Sequence, residues 1–101
     1  MRNVKTLEEL KQIVQGNDKV IVKAGLSYCE PCKQVQPTFE RVAETLTDFV
    51  CVQVVVDEVE GSAGYLKAKG VPLFVRIENG EQKRRMLGNL PYDQLVKITE
   101  Y

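Results

Sequence analysis

Between Lys19 and Leu26 the chain reads Lys-Val-Ile-Val-Lys-Ala-Gly-Leu, a mostly apolar, β-branched run. Such a run has no consistently polar face to turn to water, so it predicts a strand buried on both sides. A strand of that kind needs a sheet around it and helices above and below. The flanking sequence supplies helices. Thr6-Leu7-Glu8-Glu9 has the form of a capping box, Leu7, Leu10, Ile13 and Val14 follow at helical spacing, and Gly16 marks a stop. Pro31 opens a second helix with apolar residues at Val35, Phe39, Val42, Ala43 and Leu46, and Pro37 should kink it.

The remaining elements alternate in the same way. Val4 and its neighbours suit a short edge strand, and Phe49 to Val56 is a further run of strand formers. Val59 to Ala68 is a weaker helix, diluted by Gly61 and Gly64. Leu73 to Ile77 and Gln82 to Leu87 are two strands joined at Asn79-Gly80, a strong hairpin signal. Pro91 suits the first turn of a last helix running through Leu95 and Ile98 to Tyr101. The order β-α-β-α-β-α-β-β-α implies an α/β fold. Its central, mainly parallel sheet would be covered on both faces, with the closing hairpin as an antiparallel edge that makes it mixed. With 101 residues and 44% hydrophobic content, one domain spanning 1–101 is expected.

Charge excludes little and directs nothing. Fourteen basic residues balance fourteen acidic ones, so neither nucleic acid nor an anionic membrane is expected as a partner. No segment approaches the length of a membrane span, and the first residues are followed by an amphipathic stretch, not an apolar signal region. A reducing, cytoplasmic setting is therefore expected. There a pair of close cysteines is redox-active or metal-binding more often than it is a staple.

Such a pair is present: Cys29-Glu30-Pro31-Cys32. The chain has three cysteines and no histidine, so few other groups titrate near neutral pH. At the start of a helix, free N–H groups and the positive end of the helix dipole favour a Cys29 thiolate. That thiolate can attack a substrate disulfide, and Cys32, one turn on and more buried, can resolve the mixed disulfide. Pro31 has no N–H and stiffens the loop. A metal half-site would need a second pair or histidines, which the chain lacks; two core cysteines remain the bland alternative.

Tyr28-Cys29-Glu30-Pro31-Cys32-Lys33, with Pro37 five residues beyond, resembles the active-site segment of the thioredoxin family. The likeness extends over nearly the whole chain. Asp57 ends the third strand, Gly70-Val71-Pro72 resembles the family's cis-proline loop, Asn79-Gly80-Glu81 its hairpin, and Gly88 its groove glycine. The resemblance implies a thioredoxin fold and a thiol–disulfide oxidoreductase that reduces protein disulfides. It further implies no bound cofactor beyond the redox-active Cys29–Cys32 disulfide, and a monomer recharged by a thioredoxin reductase, with NADPH entering only through that enzyme. Tyr28, Glu30, Pro31, Val71, Pro72, Leu87 and Gly88 would meet the disulfide-containing client. A cis Pro72 would turn the Val71 backbone toward Cys29.

Three positions depart from the family pattern. Tyr28 stands where a tryptophan is usual, and keeps an amphipathic aromatic beside the site. Glu30 replaces a glycine; its carboxylate suits a helix N-terminus but opposes a neighbouring thiolate, which would make the couple more reducing. Lys23 stands where the family carries a buried aspartate, and Gln53 where it carries the partner lysine. A lysine inside an apolar strand is costly unless it snorkels or finds a partner. Lys23 is read as a neutral amine base, as a cation stabilising a thiolate, or as a space-filling side chain that reaches solvent.

Blander readings fit the rest. Cys51 is expected to be a buried, inert thiol, and Lys83-Arg84-Arg85 to protect an edge strand or dock an acidic partner. Arg76 interrupts an apolar strand without an evident reason. Two other functions compete with disulfide reduction. One is a glutaredoxin-like, glutathione-dependent reductase, disfavoured because proline precedes the second cysteine instead of following the first. The other is a binding or assembly subunit whose thiols are incidental.

Overall fold

Residues 1–100 are described by a computed structural model. The elements are β1 (Arg2–Val4), α1 (Leu7–Gly16), β2 (Lys19–Gly25), α2 (Glu30–Thr45), β3 (Val50–Val55), α3 (Ser62–Leu66), β4 (Leu73–Glu78), β5 (Glu81–Leu87) and α4 (Tyr92–Leu95). A 3-10 turn, Val96–Thr99, follows α4 directly. The last helix is thus a short α-helix tightened into 3-10, with Pro91 as its N-cap instead of a residue of its first turn. The expected extension to Tyr101 lies outside the described residues.

The five strands lie in the order β1-β3-β2-β4-β5, with β2 at the centre. β1 and β2 pair parallel to β3, while β4 pairs antiparallel to both β2 and β5. The sheet is mixed, with two parallel and two antiparallel pairings in place of a mainly parallel set, and β4 alone runs against the other four strands. The reason lies in the connection from β3 to β4. Its helix, α3, has five residues and spans roughly 7 Å, against about 20 Å for a six-residue strand. By itself it is too short to carry the chain back to the far end, and β4 starts where β3 stops and runs back.

Alternation along the strands sorts the core into two layers. Val20, Val22 and Ala24 of β2, Val52 and Val54 of β3, and Val75 and Ile77 of β4 pack with Leu10, Ile13 and Val14 of α1 and Leu66 of α3. Ile21 and Phe74 on the opposite face pack with Val35, Phe39 and Val42 of α2 and with Leu95 and Ile98. The buried run of β2 is therefore the consequence of two covered faces.

Local chemistry explains the element ends. Glu9 N–H donates to Thr6 Oγ1 at 3.1 Å, but the Glu9 carboxylate reaches back to Lys5 N–H at 2.7 Å, one residue beyond the Thr6 N–H that a full capping box uses. α3 is shorter than its sequence pattern because Gly61 caps it at φ +82°, where a Cβ would stand 2.8 Å from Leu7 Cδ2. Asn79 and Gly80 both take positive φ, as a two-residue I′ hairpin requires. Pro37 lies inside α2, which continues past it to Thr45.

Candidate active site

The reversal at β4 gathers one end of the sheet into a site. Gly25, the last residue of β2, pairs with Val55 near the end of β3; Ala24 pairs with Leu73 at the start of β4, and Leu73 with Leu87 at the end of β5. The loop before α2, the Val71–Pro72 segment and the Leu87–Gly88 segment therefore emerge together.

The loop before α2 is pinned from below. Ser27 donates its N–H and its hydroxyl to the Asp57 carboxylate at 3.0 and 2.7 Å, and the hydroxyl also lies 3.0 Å from Glu58 Oε2. These hydrogen bonds hold the Asp57 carboxyl below its ordinary pKa. β3 ends at Val55, two residues before Asp57, which was expected to close the strand; the partnership of Asp57 with Ser27, thirty residues away, was not legible.

Cys29 is the N-cap of α2, in extended conformation, and its carbonyl accepts from Lys33 N–H at 3.2 Å. Its Sγ accepts from Cys32 N–H at 3.2 Å, taking the place of the usual side-chain oxygen cap. Pro31 has no N–H to compete for that sulfur. Cys29 and Cys32 are joined as a disulfide with Cα atoms 5.3 Å apart. The two sulfurs differ in access: Cys29 is half-buried, Cys32 only 5% exposed. Cys32 Sγ faces β2, where it lies 3.5 Å from the position a Cβ on Gly25 would occupy.

Around the pair, Tyr28 is 95% and Leu87 58% exposed, and Pro31 is exposed as well. Val71 and Gly88 are half-buried. The Val71–Pro72 peptide is cis, as the family likeness implies, but the Pro72 ring is buried and offers no surface of its own. Its carbonyl accepts from Gly88 N–H at 2.8 Å, and Gly88 has φ +109°, open to glycine. Glu30 is exposed, with its carboxylate 3.9 Å from Lys33 Nζ.

Lys23 is 7% exposed, so it does not simply reach solvent. Its Nζ donates to the Cys32 carbonyl at 2.9 Å and to Gln36 Oε1. Burial pushes its pKa down, while the Glu40 carboxylate pulls it up. Gln53 is its neighbour on β3, but Gln53 Nε2 turns to Asn3 Oδ1 at 2.7 Å, leaving Oε1 without a protein partner. Lys23, Gln36, Gln53, Asn3 and Cys32 line a common cavity of about 340 Å³. The role of Gln36 was missed, although its position four residues after Cys32 places it on the same face of α2.

Two of the three basic residues in the Lys83-Arg84-Arg85 stretch bind backbone carbonyls, while Lys83 pairs with Glu81 at the surface. Arg85 donates to the Leu66 and Lys67 carbonyls at the end of α3, and Arg84 to the Lys97 and Glu100 carbonyls. Cys51 is half-buried, and burial pushes its thiol up to about 11. No group of three or more His, Cys, Asp or Glu side chains that could hold a metal occurs among the described residues. No helix among them is long and apolar enough to cross a membrane.

The Thioredoxin family model matches residues 2–100. The chain belongs to the thioredoxin family. It is 30% identical over 95 residues to a thioredoxin of Mycoplasma pneumoniae, covering 94% of this chain and 93% of that one. It is also 30% identical over 91 residues to Thioredoxin-1 of Schizosaccharomyces pombe, covering 90% and 88%. Among solved structures, Plasmodium falciparum thioredoxin superposes with a TM-score of 0.92 at 29% identity, covering 100% of this chain and 99% of that one. With the Cys29–Cys32 pair at the head of α2, the chain is a thiol–disulfide oxidoreductase, a protein-disulfide reductase of thioredoxin type. Nothing in the site favours a glutathione-dependent reductase or a subunit with incidental thiols.

Proposed function

We propose that Cys29 is the nucleophile and Cys32 the resolving thiol of a dithiol–disulfide exchange that reduces client proteins. The carrying observation is the asymmetry of the pair: Cys29 heads α2 with its sulfur taking a backbone N–H, while Cys32 is shut beneath it. In the reduced protein the Cys29 thiolate attacks one client sulfur. A mixed disulfide forms, the client S–S bond breaks, and the client's other sulfur leaves as a thiolate that takes a proton. Cys32 then loses its proton and attacks Cys29 Sγ; the intramolecular disulfide forms and the second client thiolate is released. Two electrons pass to the client and two thiols become one disulfide.

Tyr28, Pro31 and Leu87 supply exposed apolar surface for the client, with Glu30, Val71 and Gly88 at its margins and Pro72 supporting Val71. The oxidised chain is returned to the dithiol by a thioredoxin reductase drawing on NADPH, so the protein acts as an electron carrier. It works as a monomer in the cytoplasm, maintaining redox balance without a bound cofactor. Balanced charge and the lack of a membrane-length apolar segment support that setting.

The test is trapping. Cys32→Ser should accumulate a mixed disulfide with a disulfide-containing protein, Cys29→Ser should form none, and wild type should turn over with thioredoxin reductase and NADPH. Equal trapping by both variants would contradict the assignment.

A further inference from the structure

Lys23 and Gly25 lie two residues apart on β2, on the face that Ile21 turns toward α2, and Cys32 Sγ rests over Gly25. Residues i and i+2 of a strand share a face about 7 Å apart, within reach of a lysine side chain. We propose that Lys23 is a positioning residue for the resolving step, holding a positive charge beneath Cys32 that stabilises the thiolate released from it. The inference rests on Cys32 being the resolving thiol.

Burial works against the Lys23 ammonium, while two acceptors and a nearby carboxylate work for it. Nζ is a donor to two acceptors, the Cys32 carbonyl and Gln36 Oε1, which leaves one N–H of an ammonium for the cavity that Cys32 also lines. α2 presents Cys32, Lys33, Gln36 and Glu40; β3 presents Gln53, β1 presents Asn3, and β4 presents the apolar Phe74 as register partner. Of these, only Glu40 is an anion, and it supports the lysine charge against burial. The amides of Asn3, Gln36 and Gln53 are neutral. When the disulfide is closed Cys32 carries no charge; when it opens to a thiolate, Lys23 is its counter-ion in the same cavity.

Lys33 is the competing cation, since it too lines the cavity. Its side chain is 66% exposed and it lies 3.9 Å from Glu30, so water and a carboxylate screen it. Lys23, at 7% exposure, is less screened by water than Lys33.

Cys32 can be titrated alone in a Cys29→Ser, Cys51→Ala background, following its Cβ NMR shift with pH. Adding Lys23→Met should raise the Cys32 pKa by about one unit, a tenfold loss of thiolate below that pKa. Lys23→Gln, which keeps a donor but no charge, should behave like Met; Lys23→Arg should stay near wild type, and so should Lys33→Met. In the otherwise native chain, single-turnover resolution of a mixed disulfide near neutral pH should slow about tenfold in Lys23→Met and recover as pH is raised. Formation of the mixed disulfide at Cys29 should keep its rate. An unchanged or lowered Cys32 pKa in Lys23→Met overturns the inference, as does wild-type behaviour of Lys23→Gln. Failure of the trapping experiment with Cys32→Ser is a separate result: it removes the assigned role of Cys32 and leaves the titration readable.

Discussion

Arg76 of β4 donates from Nη1 to the backbone carbonyl of Ile98, 3.0 Å away, and so ties the sheet to the last turn of the chain. Arg76 is 5% exposed, and its Nε lies 3.2 Å from Glu78 Oε2. A cation in that position is tolerated because the Ile98 carbonyl accepts from it and the Glu78 carboxylate balances its charge, although Nε itself makes no hydrogen bond. Arg76→Met should keep the packing but strip the Ile98 carbonyl of this donor. A loss of about 1–3 kcal/mol in urea unfolding is expected, with faster amide exchange across 96–100. Unchanged stability would mean that the contact contributes nothing net.

Ser27 and Asp57 give a pH-dependent latch under the active-site loop. The Asp57 pKa is lowered from 3.8 by the Ser27 hydroxyl, so the folded state binds its proton less readily than the unfolded chain. The latch therefore contributes stability above the ordinary carboxyl range and loses it as pH falls through the lowered value. Ser27→Ala should unfold at lower urea than wild type at neutral pH, and the gap should close in acid. A gap independent of pH would point to packing in place of the carboxylate.

Cys51 titrates in the opposite sense. Burial raises its thiol from 9.0 to about 11, so the folded protein keeps a proton that the unfolded chain gives up. Its contribution to stability is complete below the ordinary thiol pKa and declines as pH rises toward about 11. Cys51→Val should flatten that decline. In the reduced native protein, iodoacetamide near pH 8 should modify Cys29 well before Cys51, because only about one Cys51 in a thousand is a thiolate there. Mass spectrometry of the labelled peptides reads the order.

Glu30 bears on the redox potential, and its exposure limits how much. Its side chain is 78% exposed and faces Lys33 at 3.9 Å, so its field at Cys29 is both hydrated and partly cancelled. Glu30→Gly should make the couple more oxidising by less than about 30 mV, measured against a glutathione buffer. No shift, or one toward a more reducing couple, contradicts the expected repulsion of the thiolate.

Much of this was legible in the chain because it is written locally. The β2 run, the hairpin at Asn79-Gly80 and the cap at Thr6 each depend on neighbours in sequence, and each forms. The paired cysteines and Pro31 likewise define α2's start. What escaped depends on distant partners. Arg76 looked out of place until Ile98 lay beneath it, and Arg84 and Arg85 looked like a solvated edge until they proved to be donors to helix-end carbonyls. Lys23 was visible as an anomaly, but its partner Gln36 is fixed only once α2 lies across β2. That β4 alone runs against the other four strands goes with the shortness of α3, which two glycines foreshadowed without giving its length.

The spacing of the two cysteine Cα atoms, 5.3 Å within one helical turn, governs how long a client stays attached. Under the proposed order of attack, Cys32 never searches for the mixed disulfide by diffusion. A tethered, aligned reactant can act at an effective molarity of about 10⁵ M or more, beyond anything a free thiol in solution reaches. Release is thus timed from inside the protein, independently of how well the client fits. A weak and undemanding grip then suffices, and proteins of unrelated sequence can be served in turn by the same few exposed side chains.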